Sequence, residues 1–228
     1  NKIMKIEIWS DIMCPFCYLG DQNLKDAIKE YKGNEAIEIE YKAFQLNPSQ
    51  PKEATPDNPI NYTLKKGLPK DRVEASFNHI VNEAAQLNLP MNIEQAKVVN
   101  SLDALRFVKW AQNKRKLHEV KDRLFRGYFA LGEDLSDQLT LVKIGEELGF
   151  EKEEFSSFLN SDLYKTEVAI EREEGIQKGL QGVPFFVINN TYALAGNQPK
   201  ENFLNVFNKI NPTTTNSNSC DIETGNCN

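Results

Sequence analysis

Along residues 5 to 9, KIEIW, polar and apolar side chains alternate with period two, the pattern of a half-buried strand. The following stretch DQNLKDAIKEYKG spaces Leu24, Ile28 and Tyr31 as one face of a helix and ends at Gly33. AIEIEYKAF then sets Ile37, Ile39 and Tyr41 against Glu38, Glu40 and Lys42, which predicts a second strand and a βαβ start. Residues 47 to 70 carry five prolines and no periodicity, so they read as a loop leaving the sheet. Helical spacing returns for about a hundred residues. Val73, Phe77, Ile80, Val81, Ala84 and Leu87 form one stripe, and Val98, Leu102, Leu105, Phe107 and Val108 form another. HEVKDRLFRGYFALG, DQLTLVKIGEELG and EKEEFSSFLNSDLYKTEVAIEREEGIQKG supply three more, the last with a break. These stripes read as a helical core.

After Gly179 the period changes back. GVPFFVI is a strand-like run, NN a turn and TYALAG a return strand, so 183 to 195 reads as an antiparallel hairpin. PKENFLNVFNKI is a final amphipathic helix with Pro199 near its start. The order βαβ, helical block, ββα divides the chain into 1–46, an α-helical insertion at 47–178 with the loop that leads into it, and 179–211. Residues 212–228, polar and aperiodic, read as a mobile tail carrying Cys220 and Cys227.

Composition narrows the function classes. With 27 Lys and Arg against 33 Asp and Glu the net charge is -6, which argues against a general affinity for nucleic acid or anionic membranes. No apolar stretch approaches the roughly 20 residues of a membrane span, and NKIMKIEIWSD has no continuous signal-like core. The expectation is a cytoplasmic protein. Four cysteines in 228 residues, two of them some 200 positions from the others, are too sparse for a disulfide scaffold and point to redox or metal chemistry.

That chemistry centres on SDIMCPFCYLG, residues 10–20. A cysteine in the first turn of a helix faces unpaired N–H groups and the positive end of the helix dipole, both favouring thiolate; Cys14 is that residue. Cys17, one turn on, lies within bonding range and suits a resolving thiol. Pro15 is tolerated at a helix start, and Phe16 offers an apolar contact for substrate. Two alternatives stay open: half of a zinc site, though His79 and His118 stand alone and the tail cysteines are remote, and a pair of incidental buried cysteines. Val183-Pro184 opens the hairpin, and X-Pro is where a cis bond is cheap enough to be built in, which would present Val183 as an edge for an extended peptide. An ordinary trans proline on an edge strand is the plainer reading.

Taken together, SDIMCPFCYLG, NSLDALRFVKWA, LFRGYFALGEDLSDQLTLVKIGEELGF, GVPFFVI and AGNQP resemble the DsbA family of the thioredoxin superfamily, most closely its FrnE-like branch, from about residue 5 to 210. The resemblance implies an α/β thioredoxin-like fold interrupted by an α-helical insertion. It also implies thiol–disulfide exchange at Cys14 and Cys17, facing a cis-proline at Pro184. No bound cofactor is implied beyond the redox-active disulfide. Substrates would be protein or small-molecule thiols and disulfides, with glutathione or a thioredoxin system as reductant.

Three positions depart from the family. Leu105 stands before Arg106 where the family has histidine. Ile8 occupies the place of the buried acid six residues before the first cysteine, leaving Asp11 as the nearest group in sequence for proton transfer. The dipeptide is Pro-Phe. Cys220 and Cys227 are candidates for an auxiliary redox pair. Kappa-class glutathione transferases and 2-hydroxychromene-2-carboxylate isomerases share the interrupted fold but typically carry serine in place of the cysteine pair. A peptide-binding chaperone using the apolar groove between Phe16 and Pro184 is the non-enzymatic alternative.

Overall fold

The computed structural model describes residues 2–212, so Cys220 and Cys227 lie outside the described residues. Four strands form one sheet: β1 (Ile3–Ser10), β2 (Ala36–Ala43), β3 (Phe185–Ile188) and β4 (Tyr192–Ala195), in the order β2-β1-β3-β4. β1 runs parallel to β2 and antiparallel to β3, and β3 pairs antiparallel with β4 through the Asn189-Asn190 turn, both residues at positive φ. Between β1 and β2 lies α1 (Pro15–Glu30). Between β2 and β3 lie α2 (Pro59–Leu64), α3 (Lys70–Gln86), α4 (Leu102–Asn113), α5 (Leu117–Phe129), α6 (Gln138–Glu147), α7 (Lys152–Asn160) and α8 (Lys165–Gln177); α9 (Lys200–Ile210) follows β4. The fold is α/β, with a thioredoxin-like sheet and a helical insertion.

Alternation decides the two faces of β1. Met4, Ile6 and Ile8 pack with Leu24 and Ala27 of α1 and with Phe203 and Phe207 of α9. Trp9 points the other way, packing with Phe44, Leu180 and Val187 and donating from Nε1 to the Glu171 carbonyl of α8 at 2.9 Å. The largest core joins the insertion to the start of α1: Cys14, Cys17, Tyr18 and Tyr41 share it with Leu105, Phe107, Leu124, Phe125 and Phe129. Tyr18 stacks on Phe125 and Phe129 at ring-centroid distances of 5.2 and 5.4 Å.

Several boundaries differ from the periodicity. The first helix begins at Pro15 and ends at Glu30, three residues before Gly33, because Tyr31 turns to extended backbone and its hydroxyl is held by Glu35. The proline-rich stretch contains α2, where Asn58 accepts from the Asn61 N–H and Pro59 takes the first helical position, local cap chemistry that apolar periodicity does not report. Val98 belongs to the approach to α4, its N–H bonded to the Asp57 carbonyl. The break in the last insertion stripe falls at residues 161–164, where Tyr164 adopts φ 67° between α7 and α8.

Candidate functional site

β1 delivers the chain to a tight turn whose geometry the backbone fixes: the Cys14 N–H donates to the Asp11 carbonyl at 3.1 Å. Cys14 is the N-cap of α1, with φ -86° and ψ 115°, and Pro15 follows as first helical residue, where its missing donor costs nothing. The first turn of α1 contains no acidic residue, so no carboxylate competes for its positive end. The Cys17 and Tyr18 N–H groups both point at the Cys14 carbonyl, at 3.0 and 3.3 Å. Both sulfurs are buried, Cys14 at 5% exposure and Cys17 at 1%, and both are free thiols.

Across from the pair, the Val183–Pro184 peptide bond is cis, and the Cys14 thiol donates to the Val183 carbonyl at 3.5 Å. Pro184 is pressed against α1: a Cβ on Gly20 would meet its Cγ at 3.1 Å, so glycine sets how closely helix and hairpin approach. The Pro184 carbonyl accepts from Gly196 at 2.8 Å, which ties it to the hairpin. Phe16 is 37% exposed at the surface above the pair.

Asp11 is fully buried, and burial pushes its carboxyl above the usual range. Its oxygens accept from the Met13 N–H (3.3 Å), the Leu46 N–H (2.9 Å) and the Ser101 hydroxyl (3.1 Å). It therefore stitches the cysteine turn to the exit of β2 and the start of α4. Burial raises the Cys17 thiol well above its ordinary value, and neighbouring Cys14 adds to that, while the Ser10 hydroxyl and the Asp11 backbone bond it and oppose the rise.

The structure brings together Asp11, Cys14, Phe16, Cys17, Val183 and Pro184. Ser10 and Tyr41 join them, though nothing in the strand pattern marks them as more than core. Beside Met13 and Pro15 opens a cleft of about 650 Å³ lined by Asn47, Gln50, Tyr62, Lys66, Phe77 and Tyr128 among others. Its residues come from the loop, α2, α3 and α5, so only tertiary structure assembles them. Among the described residues, no three His, Cys, Asp or Glu side chains cluster to hold a metal ion. The residue after the departed family histidine, Arg106, is spent on structure: it donates to the Phe158, Leu159, Ser161 and Leu163 carbonyls at the end of α7.

The sequence pattern of DSBA-like thioredoxin domains matches residues 5–208. The chain belongs to that family. Among solved structures it is similar to the probable DsbA oxidoreductase SCO1869 of Streptomyces coelicolor, with 27% identity, a TM-score of 0.83, and coverage of 90% of this chain and 89% of that one. Two more distant structures share the fold. A 2-hydroxychromene-2-carboxylate isomerase is 15% identical with a TM-score of 0.69, covering 90% and 95% of the two chains. The cytosolic disulfide reductase DsbM of Pseudomonas aeruginosa, in its structure with GSH, is 18% identical with a TM-score of 0.62, covering 90% and 99%. This DSBA-like chain is thus of the thiol–disulfide oxidoreductase family, and no helix among its described residues is long and apolar enough to cross a membrane.

Proposed function

We propose that this protein exchanges disulfides through Cys14 and Cys17. The observation that carries the reading is the placement of two adjacent thiols at the N-terminus of α1 with the Val183 carbonyl in contact with Cys14. In the oxidising direction a substrate thiolate attacks Cys14, the Cys14–Cys17 bond breaks, and its electron pair leaves on Cys17. In the reducing direction Cys14 attacks the substrate disulfide and Cys17 resolves the mixed disulfide. Phe16 and the edge at Val183–Pro184 contact the substrate, and Asp11 holds the turn and is the acid nearest in sequence for proton transfer. In this division, residues 47–178 are the insertion that covers the thioredoxin-like halves 1–46 and 179–211.

Glutathione is the reductant this reading favours, in the cytoplasm. The cleft beside Pro15, mostly apolar but with Lys66, Tyr62, Asn47 and Gln50 on its wall, has room for a tripeptide thiol, and DsbM, a distant fold relative, is described with GSH. The retained pair of cysteines argues against a serine-based isomerase or transferase, and a reversible Cys14–Cys17 couple would set the protein apart from a passive chaperone. Cys14→Ser abolishes exchange, whereas Cys17→Ser accumulates mixed disulfides visible by mass; exchange persisting in Cys14→Ser defeats the assignment. The reduction potential in glutathione buffers then gives the direction. A value near about -270 mV marks a reductase, and one nearer about -120 to -180 mV an oxidase or isomerase.

The auxiliary role of Cys220 and Cys227 is constrained by where the described chain ends. Asn211 lies beside Tyr31 and Glu35, at the far end of α1 from Cys14, and a 16-residue helix is about 24 Å long. Cys220 follows Asn211 by nine residues, a reach of at most about 32 Å. That chain length is enough for either cysteine to reach the site. Unchanged turnover on deleting 213–228 removes that role.

A further inference from the structure

The Tyr41 hydroxyl is buried and has no hydrogen-bond partner among the described residues. Its placement follows from the sheet. The parallel register sets Tyr41 level with Ile8, and Ser10 lies two residues further along β1, on the same face as Ile8 and toward α1. That face carries Cys17, which shares a packed cluster with Tyr41. Ser10, 2% exposed, lies beside both Cys17 and Tyr41. Ile8 is the position where the family resemblance leads one to expect an acid, and here it is apolar. The Asp11 oxygens are already occupied by Met13, Leu46 and Ser101.

The tyrosine is also held firmly. Its N–H donates to the Gln112 side chain at 2.8 Å, and its carbonyl accepts from Lys109 Nζ at 3.0 Å, both from α4. A buried hydroxyl with no partner is a standing cost that phenylalanine would avoid at the same packing.

Resting on the exchange reading above, we propose that the Tyr41 and Ser10 hydroxyls are the hydrogen-bond donors that stabilise the Cys17 sulfur whenever it is a thiolate, in place of the buried acid at position 8. When the Cys14–Cys17 bond is attacked, the electron pair arrives on Cys17 and the two hydroxyls orient toward it. In the reverse step Cys17 gives its proton to solvent base, its sulfur attacks Cys14, and the substrate leaves as thiolate with the electron pair. Other charged or titratable groups surround this pocket: Asp11 and Cys14 from the turn, Asp21 of α1, Lys121 of α5 with Nζ 5.8 Å from the centre of the Tyr41 ring, and Lys109 with Glu171 behind the Tyr41 backbone. None is altered by removing one tyrosine oxygen, so Tyr41→Phe isolates the hydroxyl.

The test is single-turnover reaction of the reduced full chain with 5,5′-dithiobis(2-nitrobenzoate). Cys14 attacks the reagent disulfide, expelling one thionitrobenzoate and keeping the other as a mixed disulfide; attack by Cys17 on Cys14 then expels the second as a coloured thiolate, and this second release is the rate that is read. In Tyr41→Phe we expect release at pH 7 to slow about tenfold, the scale of one hydrogen bond to a charged group, with the pH–rate rise displaced to higher pH. Cleavage of the Cys14–Cys17 disulfide by dithiothreitol should slow alike, because Cys17 is then the leaving group. A folded Tyr41→Phe with wild-type release and an unshifted profile overturns the proposal. Should that variant not fold, Ser10→Ala carries the same expectation and the same refutation. A wild type that keeps thionitrobenzoate on Cys14 and forms no Cys14–Cys17 bond, read by mass, sinks the exchange reading itself, which separates the two outcomes.

Discussion

Two buried polar clusters lie against β2, and they are finished to different degrees. On one side, Lys109 of α4 donates to the Tyr41 carbonyl and pairs with Glu171 of α8, whose other oxygen accepts the Ala43 N–H at 2.7 Å. Lys109 and Glu171 are 2% and 4% exposed, and both are bonded. On the other side, Tyr41, Ser10 and Cys17 are as deeply buried, yet the Tyr41 hydroxyl is left over. A completed network rivets the insertion to the sheet. An incomplete one beside a reactive sulfur leaves capacity for a charge that appears only during exchange.

The completed cluster carries the largest expected effect. Lys109→Met leaves Glu171 buried without its counter-charge, and we expect a loss of about 3–5 kcal/mol in urea unfolding. A loss below about 1 kcal/mol would show that the rivet is not structural. Next is the pair on α1 and α5. Burial works against ionised Asp21, but the Lys121 and Lys25 ammonium groups outweigh it and hold its carboxyl below the usual value of 3.8. A lowered folded value adds stability that is present above the unfolded value and lost as pH falls through the folded one. Asp21→Asn should therefore cost about 2 kcal/mol at pH 7 and flatten the loss of stability below about pH 4, read by denaturation from pH 2 to 7.

Smaller effects sharpen the contrast. Gly20→Ala puts a methyl 3.1 Å from Pro184 Cγ, so α1 and the hairpin must part by a few tenths of an ångström. We expect a cost of about 1 kcal/mol in thermal unfolding, together with slower exchange, since the same contact sets Cys14 against Val183. The smallest effect is on the stability of Tyr41→Phe. Because the removed oxygen is buried without a partner, its loss should not destabilise the fold and should gain up to about 1 kcal/mol, whereas Lys109→Met is severe. A large destabilisation by Tyr41→Phe would mean that the hydroxyl is bonded in solution and the two clusters are alike.

Much of this architecture is legible in the chain. Alternation at KIEIW and AIEIEYKAF, the Asn-Asn turn and the helical stripes each act over a few residues, and the strands and the hairpin lie where those patterns put them. The cysteine pair at the mouth of a helix is equally local: Pro15 and the spacing of Cys14 and Cys17 write it into 11 residues. What escaped is of two kinds. α2 depends on an Asn58 side-chain cap rather than on apolar spacing. Tyr41 alternated correctly as a core residue, and nothing in its neighbours could mark it as special. Asp11 stands out in the chain only by its nearness to Cys14, and its partners at Leu46 and Ser101 are set by how the chain returns.

The periods, the turn residues and the CPFC pair follow from the chain alone, because those depend on neighbours within a turn or two of it. Tertiary structure alone decided that Tyr41 stands level with Ile8, that Ser10 meets Cys17, that Val183 faces Cys14 across 169 positions, and that four separate elements wall the cleft beside Pro15. The physical reason is register: strand pairing and helix packing select which distant side chains share a face, and that choice is made by the summed burial of the whole core, not by any segment in it.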